Sequence, residues 1–297
     1  VTIIADKPSL EWMEFESHRF PVISNGVSPV FAYFAKAVAT MWTTTPFIEK
    51  HPKLKDRYYL VQNYEVDFYK PDVALRIKAN QTYNLGREIK YLTISKWCQD
   101  WLKNEYDKES EYAPNGIDIR RFTPVDRDYT GKIRILIEGD CAVEYKRVDE
   151  SFSITNKLDK NKFEICYLSY QGQPKSWYRI DEFYHRVPHD KVGEGYGEAD
   201  ILLKSSKLES FSYPPLEMMA TGGIVIVALN GGNAEYIRDK YNALTYNHDI
   251  NEAIEKINIL IEDENLRTTL INGGLETAKK RNWENIESDI LKLYGVV

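Results

Sequence analysis

The chain has 297 residues, which at roughly 150 residues per domain predicts two domains, each long enough to bury a core of its own. Its 43% hydrophobic and 28% charged residues are ordinary for a globular protein, and no stretch approaches the ~20 continuous apolar residues of a membrane span. These values exclude a disordered or fibrous chain. The net charge of −6 argues against nucleic acid as the main partner, because phosphate binding requires clustered positive charge.

The cysteines indicate the cellular compartment, and the first residues indicate whether part of the fold precedes them. Cys98, Cys141 and Cys166 are widely spaced and odd in number, so they suggest neither a disulfide framework nor a zinc site. A reducing cytoplasm fits them best. The chain begins at Val1 inside a strand-like run and not with a secretory signal. This start suggests a cut into a larger alternating fold, with residues missing upstream.

Short β-branched runs alternate with helical stretches in the first part of the chain, which is the pattern of parallel sheets built from βαβ units. Predicted strands cover residues 1–5, 20–24, 38–42, 58–62 and 91–95. The clearest helix is predicted over residues 96–106. Ser95 can cap it, and Trp97, Trp101 and Leu102 recur on one of its faces.

A proline-bounded segment, residues 114–124, contains an Asn-Gly turn and interrupts regular structure. After it, strands are predicted at residues 133–137, 163–169, 199–203, 224–229 and 243–246, and residues 250–293 are predicted to be almost entirely helical. We therefore predict an α/β fold with two Rossmann-like, doubly wound domains that face a cleft. Residues 1–124 form the amino-terminal domain, with 114–124 as its interdomain linker, and residues 125–297 form the carboxyl-terminal domain with a helical tail.

The loop after the predicted strand 199–203 is the richest in candidate functional residues. Pro214 or Pro215 suits the first turn of the helix that follows, and the free amides there attract anions such as phosphate. Glu209 lies in the loop and Glu217 in the first helical turn, so both carboxylates can point into one cleft and accept hydrogen bonds from sugar and ribose hydroxyls. The alternative is that Glu217 only stabilises the helix start and that Glu209 is solvated surface.

The sequence of this loop resembles the donor-site motif of family 4 nucleotide-sugar glycosyltransferases. From residue 209 to residue 222 it runs Glu-Ser-Phe-Ser-Tyr-Pro-Pro-Leu-Glu-Met-Met-Ala-Thr-Gly. Residues 92–95, 114–124 and 230–235 also look like the last unit of the family's amino-terminal domain, its interdomain connection and its glycine-rich turn. The resemblance runs from about residue 58 to the end. It implies the two-domain GT-B fold and transfer of a sugar from a nucleotide donor to a hydroxyl with retention.

The resemblance also implies roles for individual residues of the loop. Glu217 would hold the ribose hydroxyls, and Glu209 would be catalytic, in contact with the donor sugar near its reacting carbon. Ser210, Phe211 and Ser212 would bind the sugar or the β-phosphate, through the main-chain amides around residues 211 and 212.

In this family an arginine beside a glycine, and a lysine six residues later, usually neutralise the leaving diphosphate. Here Asp140 follows Gly139, so the arginine is absent, while Lys146 occupies the lysine position. We expect Lys146 to stabilise the diphosphate, with Arg147 or Lys204 swinging in, because the transition state requires compensating charge. A merely solvated Lys146 is the alternative.

The amino-terminal domain is expected to carry the acceptor site. Many relatives have a histidine after the fourth strand, whereas Gln62, Asn63, Tyr64 and Glu65 follow it here. Asn63 or Glu65 is therefore the candidate acceptor-side residue. We expect no catalytic metal and no cofactor beyond the UDP-, GDP- or dTDP-sugar that is the substrate.

The segment from Gln62 to Glu65 and the Ser-Phe-Ser-Tyr loop are similar to those of bacterial surface-polysaccharide enzymes such as rhamnosyltransferases. The expected acceptor is a glycan or a lipid-linked glycan, with peripheral membrane contact at the inner face. Two alternatives remain: a nucleotide-sugar epimerase of the same architecture, and a binding or regulatory protein or donor-binding fragment that lacks the first βα unit of its amino-terminal domain. The use of Glu209 and Glu217 as acid and nucleophile, as in glycoside hydrolysis, is disfavoured by their position on a phosphate-binding turn.

Overall fold

The computed structural model of the chain describes residues 3–5, 22–24 and 35–296, the first two segments by their backbone alone. It divides into two compact units. The first comprises Val1–Thr93 and Trp101–Glu111, and the second comprises Ile94–Asp100 and Tyr112–Val297. Residues 94–100 and 112–124 therefore group with the second unit, although the sequence places them before a boundary at residue 124.

The strands of the first unit form two sheets in the part of the chain that is described. In one, β1 (Ile3–Ala5) and β2 (Val22–Ser24) pair in parallel. In the other, the order is β3 (Lys36–Ala39), β4 (Asp56–Val61), β5 (Ile89–Thr93) and β6 (Ser110–Tyr112), and β3, β4 and β5 run parallel. The helices are α1 (Thr45–Lys50), α2 (Ala74–Gln81) and α3 (Lys96–Tyr106).

The second unit is built on a six-stranded, fully parallel sheet. Its strands are β7 (Ile133–Glu138), β8 (Phe163–Ser169), β9 (Glu182–His185), β10 (Ile201–Lys204), β11 (Ile224–Ala228) and β12 (Leu244–Tyr246). Its helices are α4 (Val148–Thr155), α5 (Val192–Gly197), α6 (Tyr213–Ala220), α7 (Ile250–Glu262), α8 (Glu264–Lys280) and α9 (Trp283–Leu293).

The order of these strands determines where a ligand site is expected. It is β12-β11-β10-β7-β8-β9, so the chain proceeds from β7 towards β9 and then returns to β10 on the other side of β7. This reversal makes the carboxyl ends of β7 and β10 the topological switch point, where open α/β sheets bind ligands. The central strands carry isoleucine, leucine and valine on both faces because helices cover the sheet on each side.

The structure confirms the predicted α/β fold with parallel sheets. The helix predicted over 96–106 coincides with α3, and the strand predicted over 163–169 coincides with β8. The strand predicted over 38–42 is displaced, because β3 ends at Ala39 and a 3₁₀ turn begins at Trp42. Residues 1–2 and 20–21 of the first two predicted strands lie outside the described residues. Within the described ranges, no helix has the length and apolar character needed to cross a membrane.

Candidate functional site

A pocket of about 290 Å³ lies at the carboxyl edge of the second unit's sheet. Its polar wall comes from the end of β7, the turn that precedes α4, the end of β8, and the loop and helix that follow β10. The charged side chains in this wall are Glu138, Lys146, Glu209 and Glu217. Aromatic side chains surround them, namely Tyr170, Tyr196, Phe211 and Tyr213. Carboxylates, an ammonium group and aromatic rings therefore converge at the switch point.

Two lysines and two glutamates form a chain of alternating charge at this wall. The Nζ atom of Lys146 donates to both carboxylate oxygens of Glu209, at 2.8 and 3.0 Å. The Nζ atom of Lys204 donates to the carboxylate of Glu138 and, at 3.1 Å, to its main-chain oxygen. It also lies 3.7 Å from Oε1 of Glu209. The sequence of charges is thus Glu138, Lys204, Glu209, Lys146.

The pKa values of this cluster follow from burial and from the neighbouring charges. Burial alone would raise the pKa of Glu138, but the ammonium groups of Lys204 and Lys146 outweigh it and hold that pKa below its usual value. Burial alone would lower the pKa of Lys146, but the carboxylates of Glu209 and Glu138 outweigh it and raise that pKa. Lys146 is therefore a permanent cation at the pocket wall.

The start of α6 lies beside these charges. Pro214 and Pro215 occupy its first turn, where a missing amide hydrogen costs little, and Ser212 is the residue at its N-cap. The hydroxyl oxygen of Ser212 is buried and has no hydrogen-bond partner among the described residues. Although the two prolines carry no amide hydrogen, the amide of Tyr213 and the positive end of the helix dipole, next to a lysine, are suited to bind an anion.

The turn at residues 230–233 supports the loop that carries Glu209. A Cβ atom on Gly232 would lie 2.7 Å from the main-chain oxygen of Glu209 and 2.8 Å from the nitrogen of Phe211. Only glycine allows this close approach of two backbones. The glycine-rich turn therefore acts by packing against the loop.

Glu217 lies one turn into α6 and is half-buried in the pocket wall. Burial raises the pKa of its carboxyl group to about 7, although a hydrogen bond from the hydroxyl of Tyr196 opposes this shift. A carboxylate in such a place gains from additional donors, because burial deprives it of water. The hydroxyl groups of a ribose are donors of this kind.

Gly139 adjoins the cluster at the end of β7. Its φ of +139° belongs to the region that favours glycine, and a Cβ atom there would lie 3.2 Å from Val148 and 3.7 Å from Nζ of Lys204. The hydroxyl of Tyr167 donates to its main-chain oxygen at 2.8 Å. Gly139 thus lets the chain turn closely past the buried lysine.

Arg147 takes a different direction from its neighbour Lys146. Its guanidinium group lies 2.6 Å from the carboxylate of Glu150, which also accepts a hydrogen bond from Tyr246 and contacts His248, both at 2.9 Å. Arg147 is not among the residues that line the pocket in the described part of the chain. The geometry therefore brings Lys146, and not Arg147, together with Glu209.

Asn63 and Glu65 lie in the first unit, after β4. Glu65 is 4% exposed, and one of its carboxylate oxygens accepts hydrogen bonds from the amide of Trp42 and the hydroxyl of Tyr59, both at 2.8 Å. The side chain of Asn63 accepts from the amide of Tyr64 at 2.8 Å. Their assignment to an acceptor site stays a prediction, while the contacts of Glu65 are those of a structural residue.

The remaining predicted donor-side residues lie in the second unit. Phe211 lines the pocket, Ser210 is buried, and Lys204 is 1% exposed at the end of β10. Glu138 and Tyr196 are site residues that sequence reasoning missed. The signal for Glu138 was available, because an acid directly after the buried apolar residues Ile135, Leu136 and Ile137 is unusual. Over the described ranges, no group of three or more His, Cys, Asp or Glu side chains is arranged to hold a metal ion.

Comparison with known proteins shows which proteins this chain resembles. Residues 182–277 match the family described as glycosyl transferases group 1. An uncharacterized glycosyltransferase of Methanocaldococcus jannaschii is 34% identical over 224 residues, which are 71% of this chain and 61% of that protein. Over residues 182–277 the chain is therefore similar to group 1 glycosyltransferases.

Two further proteins extend the comparison over most of the chain. The O-antigen biosynthesis protein RfbC of Myxococcus xanthus is 23% identical over 261 residues, which are 86% of this chain and 20% of that protein. The chain thus spans less than two thirds of the length of both relatives. The structure of Anabaena HepE in complex with UDP-glucose superimposes with a TM-score of 0.78 at 15% identity, covering 100% of this chain and 92% of HepE. This similarity establishes the GT-B fold.

Proposed function

We propose that this chain transfers a sugar from a nucleotide-sugar donor to a hydroxyl of an acceptor, with retention at the anomeric carbon, as a family 4 glycosyltransferase. The observation that carries the proposal is the arrangement at the switch point. Lys146, paired with Glu209, lies at the pocket wall beside the start of α6 and close to the half-buried carboxyl group of Glu217. One ammonium group and one helix start would hold a diphosphate, and two carboxylates would hold hydroxyl groups.

The reaction that we propose takes its stereochemistry from the family resemblance and its residue roles from this placement. The bond between the anomeric carbon and the diphosphate oxygen breaks, and the leaving diphosphate takes the electron pair. Lys146 and the amides at the start of α6 stabilise that charge. The acceptor oxygen attacks the same face, and its proton passes to a phosphate oxygen. Glu209 orients the donor sugar, and Glu217 orients the ribose.

The donor and acceptor classes are proposed from the relatives. HepE binds UDP-glucose and RfbC is named for O-antigen biosynthesis, which supports a UDP-hexose or a related donor and a surface-polysaccharide acceptor. We propose a glycan or lipid-linked acceptor, a rhamnosyltransferase-like subtype, and action in the cytoplasm at the inner face of the membrane.

Calorimetric titration with UDP, GDP and dTDP tests the donor site. We expect the wild-type protein to bind one of them and Glu217→Gln to bind it about 10- to 100-fold more weakly, because hydrogen bonds to a charged group are worth about 1.5–3 kcal/mol. Glu255→Gln, which changes an exposed glutamate on α7, is the matched control and should bind as the wild type does. Equal affinity in the wild-type protein and in Glu217→Gln would refute the assignment of this site.

Incubation of the protein with the matching nucleotide-sugar separates transfer from epimerisation. A transferase consumes the donor when an acceptor glycan is added and returns a product of retained configuration. Accumulation of an epimerised donor without any acceptor would instead identify an epimerase.

A further inference from the structure

Lys204 is an unusual residue for the end of a central strand. Strand β10 otherwise carries Ile201, Leu202 and Leu203, all fully buried, and the side chain of Lys204 is itself 1% exposed. A buried ammonium group is costly unless a carboxylate and further acceptors compensate it. Here Glu138 supplies both its carboxylate and its main-chain oxygen. A pair retained at such cost in the middle of a sheet suggests a function.

The position of Lys204 relative to Glu209 indicates what that function is. Its Nζ atom lies 3.7 Å from Oε1 of Glu209, and Lys146 binds the same carboxylate at 2.8 Å. Lys146, Glu209 and Glu138 line the pocket, whereas Lys204 does not line it in the described part of the chain. Glu209 therefore lies between one lysine that faces the ligand space and one lysine that is enclosed by the protein.

We propose that Lys204 is a positioning residue that acts through Glu209: held by Glu138, it supplies the cation that keeps the Glu209 carboxylate in place when Lys146 turns to the donor diphosphate. The inference rests on the proposed function. Without Lys204, Glu209 would lose its second cation once Lys146 binds the diphosphate, and it would then face Glu138 as a like charge. The role differs from the direct contact with the diphosphate that the sequence suggested for Lys204, because such a contact would require it to leave Glu138.

The test separates contact from positioning by comparing a nucleoside diphosphate with its sugar conjugate. The pairs are UDP and UDP-glucose, GDP and GDP-mannose, and dTDP and dTDP-rhamnose, and the pair that the wild-type protein binds is used throughout. The ratio of the two dissociation constants measures the contribution of the sugar, which Glu209 contacts. A wild-type protein that binds none of the six compounds refutes the proposed function and not the role of Lys204.

We expect Lys204→Met to bind the diphosphate within about twofold of the wild type, whereas Lys146→Met binds it about tenfold more weakly. The sugar contribution should fall about tenfold in Lys204→Met and in Glu209→Gln, with no further loss in the double variant. Loss of diphosphate affinity as large as that of Lys146→Met would show that Lys204 contacts the diphosphate directly and would overturn the proposal.

A second variant covers the case in which Lys204→Met fails to fold. Glu138→Gln combined with Lys204→Met removes both charges of the buried pair, a change that proteins commonly tolerate. It should lose less diphosphate affinity than Lys146→Met does and show the same loss of the sugar contribution as Glu209→Gln. An unchanged sugar contribution in this variant would contradict a role for Lys204 in positioning Glu209.

Discussion

Two glutamates that were predicted from the sequence to contact substrate, Glu65 and Glu209, differ in whether their partners carry charge. Glu65 in the first unit is enclosed by groups that carry no charge: the amide of Trp42 and the hydroxyl of Tyr59 donate to one carboxylate oxygen, and the main-chain amide of Glu65 donates to the hydroxyl of Tyr83. Glu209 in the second unit is 10% exposed and is surrounded by the ammonium groups of Lys146 and Lys204. Both acids follow a parallel strand, and both are largely buried.

The difference in partners separates an acid with structural contacts from an acid that we propose to bind the donor. Burial raises the pKa of Glu65, and its hydrogen bonds with Tyr59 and Trp42 reduce this effect without reversing it. At the pocket the balance is reversed, since neighbouring cations hold the pKa of Glu138 below its usual value despite burial. An acid bound by core donors closes a local structure, whereas an acid bound by a lysine on a pocket wall can exchange that partner for a ligand.

The largest effect is expected where Glu65 is removed. Glu65→Leu leaves the buried donors of Trp42 and Tyr59 without an acceptor, so the free energy of unfolding should fall by about 3 kcal/mol. Urea denaturation measures this loss. Glu65→Gln, whose amide oxygen can accept both hydrogen bonds, should lose at most about 1 kcal/mol. If the two variants were equally stable, these hydrogen bonds would not account for the burial of Glu65.

A smaller effect is expected from pH at Glu217. Its pKa of about 7 means that the carboxyl group is mostly protonated at pH 6 and mostly ionised at pH 8. Because the ionised form accepts hydrogen bonds from hydroxyl groups more strongly, nucleotide affinity should rise by up to about tenfold between these pH values. Calorimetry at both pH values measures the change. In Glu217→Gln, any remaining change in affinity with pH comes from ionisation of the nucleotide phosphates. An equal rise in affinity in this variant would show that Glu217 does not cause the pH dependence.

The smallest effect is expected at Arg147, directly beside Lys146. Arg147→Met breaks a contact with Glu150 and not one with the pocket, so affinity for the nucleoside diphosphate should change by less than about twofold. Lys146→Met also replaces a basic side chain by methionine, one residue earlier, and it should weaken binding of the nucleoside diphosphate about tenfold. The same titration measures both variants. Equal losses of affinity would contradict the inference that Lys146 binds the diphosphate and Arg147 does not.

The sequence predicts strands and helices well where apolar periodicity is strong. The central strands of the second unit and helix α3 follow from runs of β-branched residues and from a repeating tryptophan face. The short edge strands β6 and β9 were missed, because Ser110–Tyr112 and Glu182–His185 are polar and partly exposed and carry no such pattern. Only pairing with a neighbouring strand identifies them.

The site is predictable in its outline but not in its pairing. The residue types of the loop from Glu209 to Glu217 single it out, whereas the family resemblance supplied its expected role and the prediction of Lys146. The pairing of Lys204 with Glu138 depends on β10 lying next to β7 with Leu203 opposite Ile137, a register that connects residues 66 positions apart. The partner of Arg147 could not be predicted either, because the sequence is consistent both with an (i, i+3) contact to Glu150 and with a side chain that faces the pocket.

Glu235 binds the first turn of α3, which groups with the second unit. This contact has a practical consequence for dividing the protein. Its carboxylate accepts from the amide of Lys96 at 2.9 Å and from the hydroxyl of Tyr112 at 2.8 Å, and it lies 2.8 Å from Arg281. In a shortened polypeptide that began after Tyr112, the nearly buried Glu235 would lose two of these three partners, Lys96 and Tyr112. It would also uncover Gly231, against which Trp97 packs. A study of the second unit alone therefore requires residues 94–100 to be joined back to it, because the two units are not separated by a single cut in the chain.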